Sequence, residues 1–194
     1  MHTYSIDTQE RRNILLLLAA ISIFLAWGFY NLLIRFNISL PWWVESPSIL
    51  SCYGLLFIIF DKWGWKRFKK TCLVNTPDLS GEWRGHLKSS FDSHSSEIKA
   101  TLKIFQSWTI IKIVLETEKS SSHSETASIV IDAPEGKYLS YQYINEPKSG
   151  AVKTMSMHRG TVRLIFNEKE NTLSGEYYSG RDRQNFGSLS FKRN

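Results

Sequence analysis

The sequence has few of the residues that staple small extracellular folds or mark common catalytic centres. Its only two cysteines are Cys52 and Cys72, which excludes a disulfide scaffold and a zinc site built from cysteine pairs. It contains no glycine-rich phosphate loop, no His-Glu-x-x-His pair and no Gly-x-Ser-x-Gly elbow. Its five histidines are scattered, and Asp92, His94 and Glu97 fall together in a serine-rich turn. The sequence therefore offers no positive case for an enzyme, a metal or a resident cofactor.

Charge is absent from Ile14 to Ile34, a stretch of 21 residues. A helix of about 20 apolar residues crosses the hydrocarbon of a bilayer, so this stretch predicts a transmembrane helix. Tyr30–Leu33 stands where a signal peptide has its small-residue cleavage site, which favours a retained helix. A shorter apolar segment, Pro47–Trp65, is bounded by tryptophans and predicts a second span, with a re-entrant or surface helix as the alternative.

Basic residues near these two segments predict their orientation. Eight basic and four acidic residues precede Asp78, and sixteen basic and fourteen acidic residues follow from that position. Arg35 alone lies in the loop between the segments, whereas the other basic residues flank them: Arg11, Arg12, Lys62, Lys66, Arg67, Lys69 and Lys70. The positive-inside rule then predicts a multi-pass membrane protein with both termini cytoplasmic. The same run also suits contact with anionic membrane lipid.

Beyond Thr71 the hydrophobic pattern changes from helical to alternating. Eight strand-like stretches occur between turn-forming segments: Gly81–Ser89, Ile98–Phe105, Trp108–Glu118, Glu125–Ala133, Tyr138–Asn145, Met155–Phe166, Thr172–Ser179 and Phe186–Arg193. We therefore predict a membrane α plus all-β chain, in which an eight-stranded antiparallel up-and-down, lipocalin-like barrel follows two transmembrane helices. A sandwich is the alternative. The predicted domains are a membrane domain (1–70), a linker (71–77) and a cytoplasmic barrel (78–194).

Alternation along the strands also indicates which side chains face the barrel interior. Aromatic residues with polar tips join the inward set, and these candidate ligand-binding residues are Trp83, Tyr141, Tyr143, His158 and Tyr177. Arg181 and Arg183 follow closely, and guanidinium groups match phosphate oxygens. The alternatives are that the aromatic residues simply fill the core and that the arginines belong to a surface hairpin. The small positive charge of the barrel fits a compact anionic ligand better than a nucleic-acid polymer.

Three motifs carry a resemblance that covers nearly the whole chain. They are Asp78–Gly85, which includes Leu-x-Gly-x-Trp, then Leu173–Arg181, and finally Gly187–Phe191. With the two helices before them, these motifs resemble the SMODS-associating two-transmembrane, β-strand-rich effectors of bacterial CBASS antiphage systems. Trp83, Gly85, Tyr177 and Arg181 match the family pattern. Leu-x-Gly-x-Trp also opens lipocalin-like barrels.

The resemblance implies a membrane effector of antiphage defence. Its barrel would bind a cyclic dinucleotide, or a related cyclic oligonucleotide, made by a partner nucleotidyltransferase. Binding would drive homo-oligomerisation of the transmembrane helices, inner-membrane disruption and cell death. Two other functions stay open from the sequence: a membrane-tethered lipocalin-like carrier of a lipid or other apolar ligand, and a membrane-anchored scaffold with a packed barrel.

Overall fold

The structure, a computed structural model, describes residues 1–38, 48–69, 73–152, 155–180 and 184–193. They form two compact units, one of Met1–Thr8 with Thr76–Asn194 and the other of Gln9–Asn75. The helices are α1 (Glu10–Arg35), α2 (Ile49–Ile59) and α3 (Trp65–Phe68), and a π-helical turn spans Phe60–Gly64. The strands are β1 (His2–Ile6), β2 (Gly81–Ser89), β3 (Ile98–Gln106), β4 (Ile110–Thr117), β5 (Ser120–Val130), β6 (Tyr138–Pro147), β7 (His158–Asn167), β8 (Thr172–Ser179) and β9 (Phe186–Arg193).

The helical unit contains one helix, among the described residues, that is long and apolar enough to cross a membrane. This helix is α1, with 26 residues. Its buried residues repeat every four positions along one face, and α1 packs against α2. At the N-terminal end the Glu10 carboxylate accepts a hydrogen bond of 2.6 Å from the Asn75 backbone amide. Most large apolar side chains of α1 stay exposed, as expected of a helix surrounded by lipid.

The expected pair of transmembrane helices, the second of them short, is corrected by the structure, in which α1 alone among the described residues is long enough to span. Helix α2 has only 11 residues, about 16 Å at 1.5 Å per residue, which is shorter than a hydrocarbon core. The helical path continues through the π turn, where Asp61 and Lys62 interrupt the apolar run. Pro47, the predicted start of the second span, lies outside the described residues together with the rest of 39–47.

Strands β2 to β9 form the predicted meander. Each pairs with the next in antiparallel register, and β9 returns to pair with β2, Gly85 opposite Phe191. Alternation along β3, β4 and β7 places Leu102, Ile113 and Leu164 on the inner face, and all three are nearly inaccessible. The sheet is a closed barrel.

The barrel nevertheless has nine described strands rather than eight, because β1 joins it from the other end of the chain. Strands β4 and β5 pair directly only around Leu115 and Ser122, and then separate where β5 shifts register between Ser124 and Thr126. Strand β1 fills the gap, antiparallel to β4 and parallel to β5. The N-terminal boundary therefore differs from the prediction, since Met1–Thr8 belong to the barrel unit and not to the membrane segment.

Side-chain hydrogen bonds hold β1 in this gap. The Tyr4 side chain is 2 % exposed in the core, and its hydroxyl donates to the Ser107 carbonyl at 3.2 Å and accepts from Gln106 Nε2 at 3.3 Å. The Ser124 hydroxyl accepts from the Ile113 amide at 3.0 Å, and it lies 2.7 Å from His2 Nε2. The strand is therefore an integral part of the barrel wall.

One end of the barrel is closed by Trp83. Its indole nitrogen donates to the Leu79 carbonyl at 2.9 Å, and Phe166 packs edge-on against the ring. The Arg193 guanidinium lies 4.3 Å above the ring centroid and donates to the Asp78 carbonyl at 2.7 Å. Burial lowers the pKa of Arg193, while the charge of Asp78 opposes that shift. This packing fills the interior at the end where β2 and β8 begin.

Candidate functional site

The opposite end of the barrel is hollow. A cavity of about 610 Å³ lies where β2, β4, β6 and β8 end and where their partner strands begin. We call it the barrel cavity. The side chains that line it include Leu87, Ile98, Leu115, Ser120, Ser122, Tyr141, Tyr143, Asn145, His158, Tyr177 and Leu189. Its volume falls in the range of small-molecule sites, about 300–1,000 Å³. The barrel therefore has room for a ligand and is not packed throughout.

Two tyrosines of β6 face the cavity from consecutive inward positions. Tyr141 and Tyr143 are 3 % and 7 % exposed, and their ring centroids lie 6.5 Å apart in an edge-on arrangement. The hydroxyl of Tyr141 is buried and has no hydrogen-bond partner among the described residues. Burial, with a smaller contribution from Tyr143, raises the pKa of Tyr141, so its hydroxyl stays neutral at physiological pH. A neutral phenol can both donate and accept a hydrogen bond.

His158 and Asn145 continue this polar surface and lie opposite each other in the register of β6 and β7. The His158 ring lies 6.3 Å from the Tyr143 ring, edge-on. Its Nδ1 is 2.9 Å from the Ser156 carbonyl and donates to it, so a neutral ring presents Nε2 as an acceptor. The Asn145 amide is 7 % exposed and lies 3.3 Å from the Met155 sulfur. These buried groups supply both donors and acceptors.

Two glycines make room for the cavity tyrosines. A Cβ atom at Gly160 would overlap the Tyr178 carbonyl oxygen and lie 2.5 Å from the Tyr143 hydroxyl. One at Gly187 would overlap the Lys88 carbonyl oxygen and lie 2.6 Å from Cε1 of Tyr177. Both glycines are therefore required by close approach, and they allow bulky rings to occupy a narrow barrel.

Positively and negatively charged side chains both line the cavity. Lys99 and Lys119 contribute ammonium groups, and Asp92, Glu97 and Glu118 contribute carboxylates. Lys88 lies 3.2 Å from the carboxylate of Glu97, which offsets that negative charge. The Ser96 hydroxyl bonds the Asp92 carboxylate and lowers the pKa of Asp92. The lysines give an anion a place to approach.

The structure brings together four of the residues selected from the sequence. Tyr141, Tyr143, His158 and Tyr177 all line the barrel cavity. Trp83 lies outside the lining, in the core at the closed end, because it is an early residue of β2 whereas the cavity begins near Leu87. Arg181 and Arg183 lie outside the described residues.

Sequence reasoning missed several polar groups of the cavity, and Asn145, Lys99 and Lys119 are instructive examples. Asn145 occupies the next inward position of β6 after Tyr143, so the same alternation that selected the tyrosines also pointed to it. Lys99 and Lys119 line the cavity from the start of β3 and from the β4–β5 turn. Alternation places Lys99 on the outer face of β3, but at a strand end a long side chain can still reach the opening.

Known proteins share both units of this chain. Residues 74–193 match the family model described as the Cap15 cyclic dinucleotide receptor domain, and residues 12–66 match that of the Cap15 TM helices. A CD-NTase-associated protein 15 from Yersinia aleksiciae is 32 % identical over 181 residues, which is 91 % of this chain and 85 % of the relative. A protein of the same name from Staphylococcus schleiferi is 33 % identical over 132 residues, which is 68 % of each chain.

Proposed function

Because the chain belongs to the Cap15 family of CBASS membrane effectors, as its motifs predicted, we propose that its barrel cavity binds a cyclic dinucleotide and thereby triggers membrane disruption. The observation that carries the proposal is the cavity of about 610 Å³ inside the segment that matches the receptor domain. A partner nucleotidyltransferase would supply the ligand, in keeping with the relatives' printed name.

The proposed ligand has two kinds of groups, and the cavity offers a complement to each. Bases stack on aromatic rings, for which Tyr141, Tyr143 and Tyr177 are available. Phosphates pair with cations, for which we assign Arg181 and Arg183. Their neighbours along the chain, Ser179 and Asn185, line the cavity. His158 provides a hydrogen bond beside the base-binding tyrosines, while Trp83 serves the ligand indirectly by closing the opposite end.

The proposed response is homo-oligomerisation of the transmembrane segments. A ligand shifts an equilibrium toward association only if it binds the associated state more tightly. Helix α1 carries small residues that permit close helix approach: Ala19, Ala20, Ser22, Ala26 and Gly28. Association of several such helices would breach the inner membrane and kill the infected cell. The barrel itself does not need a catalytic group for this response.

We also propose that both termini and the barrel lie in the cytoplasm. The basic residues beside the helices support this orientation. Strand β1 adds an independent argument, since Thr8 and Thr76 belong to one folded unit although the apolar segment separates them. This supports a segment that begins and ends on the same face of the membrane. Its second part, Ile49–Phe68, would return across the bilayer with local thinning or dip into it.

Binding and leakage measurements on the full chain test the proposal. The protein in lipid nanodiscs is titrated with a panel of cyclic dinucleotides and, separately, with fatty acids. Vesicles of phosphatidylethanolamine and phosphatidylglycerol that contain the protein then report dye release. We expect one or more cyclic dinucleotides to bind and to release dye, and Arg181→Ala to reduce both. Failure of every cyclic dinucleotide to bind would refute the proposal.

The second candidate is a membrane-tethered carrier of an apolar ligand. One wall of the cavity favours it, because Leu87, Ile98, Leu115 and Leu189 offer an aliphatic surface. Binding of fatty acids without binding of any cyclic dinucleotide would support the carrier. The buried Tyr141 hydroxyl of the opposite wall argues against it, since a lipid chain would offer that group no hydrogen-bond partner.

A further inference from the structure

The barrel cavity has two unlike walls, and they occupy separate arcs of the sheet. One arc is β5, β6 and β7, which are neighbours in the barrel. We call it the polar wall, defined by Ser120, Ser122, Tyr141, Tyr143, Asn145 and His158. The other arc is β4, β3, β2 and β9. We call it the aliphatic wall, defined by Leu115, Ile98, Leu87 and Leu189. A ligand inside the cavity therefore meets different chemistry on its two sides.

The polar wall contains a buried hydroxyl that needs a partner. Tyr141 is 3 % exposed, and its hydroxyl makes no hydrogen bond with any residue that the structure describes. Buried polar groups in folded proteins are nearly always satisfied, so an unpaired hydroxyl on a residue that lines a cavity indicates a ligand atom as the missing partner. The neighbouring His158 ring is held through its Nδ1, which fixes the direction of its other nitrogen.

The chemistry of this wall suits an uncharged, planar group with donors and acceptors at its edge. Its six members are all hydroxyl, phenol, amide or imidazole side chains, with no lysine or arginine among them. Such groups match the edge of a nucleobase, whereas a phosphate seeks a cation. A site built on buried hydrogen bonds also selects strongly, because a base with the wrong edge leaves protein groups unpaired.

The aliphatic wall has little capacity to select. The two hydroxyls near it are already engaged, since Ser89 accepts from the Phe91 amide at 3.3 Å and Thr117 lies 3.1 Å from the Ser120 hydroxyl. Leucine and isoleucine side chains contact any base through its face without reading its edge. A base on this side is bound mainly by apolar contact, and Lys99 of β3 also lines the cavity from this arc.

We propose that the cavity reads the two bases of a cyclic dinucleotide unequally: one base is specified by Tyr141, Asn145 and His158 on the polar wall, and the other is tolerated on the aliphatic wall. This inference rests on the proposed function, because it assumes that the ligand is a cyclic dinucleotide. It implies that the presence of one preferred base determines affinity and that a second copy adds almost nothing. A homodimeric ligand would gain only the factor of two that comes from its two equivalent orientations.

The test is a complete matrix of ligands on the full chain in nanodiscs. Titration calorimetry measures Kd for cyclic di-adenylate, di-guanylate and di-uridylate and for the three mixed molecules. We expect the Kd values of all ligands that contain the preferred base to lie within about threefold of one another. Ligands without that base should bind at least about tenfold more weakly. A homodimeric ligand that binds at least tenfold more tightly than both mixed ligands sharing its base would overturn the proposal, because both bases would then be read.

A pair of tyrosine variants locates the selective side. Tyr141→Phe removes the unpartnered hydroxyl, and it should weaken binding of the preferred ligands about tenfold while leaving the others unchanged. Tyr178→Phe is the matched control on β8, since its hydroxyl is exposed and bonds Glu176. An equal loss by Tyr141→Phe for all six ligands would refute selection by the polar wall. Binding by none of the six would instead refute the proposed function, so the two failures are distinguishable.

Discussion

Replacing Tyr4 with alanine tests whether the first residues of the chain belong to the barrel. The side chain is 2 % exposed, and its hydroxyl has partners in Ser107 and Gln106. Truncating a buried aromatic residue to alanine costs about 3–5 kcal/mol, which is a large part of the roughly 5–15 kcal/mol that holds a domain together. Since each kcal/mol shifts the Tm of a domain of this size by about 3–5 °C, we expect a decrease of about 10–20 °C.

The assay is thermal unfolding of the full chain in detergent, followed by near-ultraviolet circular dichroism. Ser5→Ala is the matched control, because Ser5 lies next to Tyr4 on the same strand and is exposed. Tyr4→Phe should fall between the two, since it loses only the hydrogen bonds, worth about 1 kcal/mol net. If Tyr4→Ala unfolds within about 1 °C of Ser5→Ala, the strand is not part of the barrel and the reasoning fails.

Three further predictions concern the barrel. Gly160→Ala should destabilise the barrel by about 1–3 kcal/mol and weaken ligand binding, because Tyr143 must move to make room for the added methyl group. Chemical denaturation measures the loss, and Gly150→Ala is the control, since no described residue lies within 4 Å of its added methyl group. Above about pH 10 an unfolded tyrosine ionises while buried Tyr141 resists, because burial raises the pKa of Tyr141. The free energy of unfolding should therefore fall by up to about 1.4 kcal/mol more per pH unit in the wild type than in Tyr141→Phe. Urea denaturation between about pH 9 and 11 measures this, and an equal pH dependence of the two proteins would contradict the prediction. Arg193→Ala should lower Tm more than Arg193→Lys, because alanine loses both the hydrogen bond to a backbone carbonyl and the cover over a buried indole, and an equal Tm would exclude both contacts.

The strands of the meander were predictable from the sequence because each carries its own evidence. Alternation places the buried residues, and turn-forming segments separate the strands, so β2, β8 and β9 begin and end where the pattern does. Strand β1 lacks such evidence. It has five residues and one buried apolar anchor, and its partners in β4 and β5 lie far along the chain.

The sequence indicated which side chains point into the barrel, but not how far along the barrel axis each of them lies. The period of two identifies which side chains point inward, and Tyr141, Tyr143, His158 and Tyr177 were found in that way. Alternation does not tell how far along the barrel axis a residue lies, and Trp83 therefore joined the candidates although it packs at the closed end. The height of a residue depends on strand register, which only the paired structure defines.

The position of β1 also has a consequence for the order in which the molecule is built. His2 and its partner Ser124 are 122 residues apart, so β1 leaves the ribosome long before its partners and is among the last strands to find its place. By then α1 has already been synthesised, and the strand has only Asp7–Gln9 between it and the membrane helix. Completion of the barrel wall must wait until β4 and β5 exist, whereas earlier strands can already pair with their neighbours. The residues of β1 would thus complete the barrel only after α1 has been synthesised.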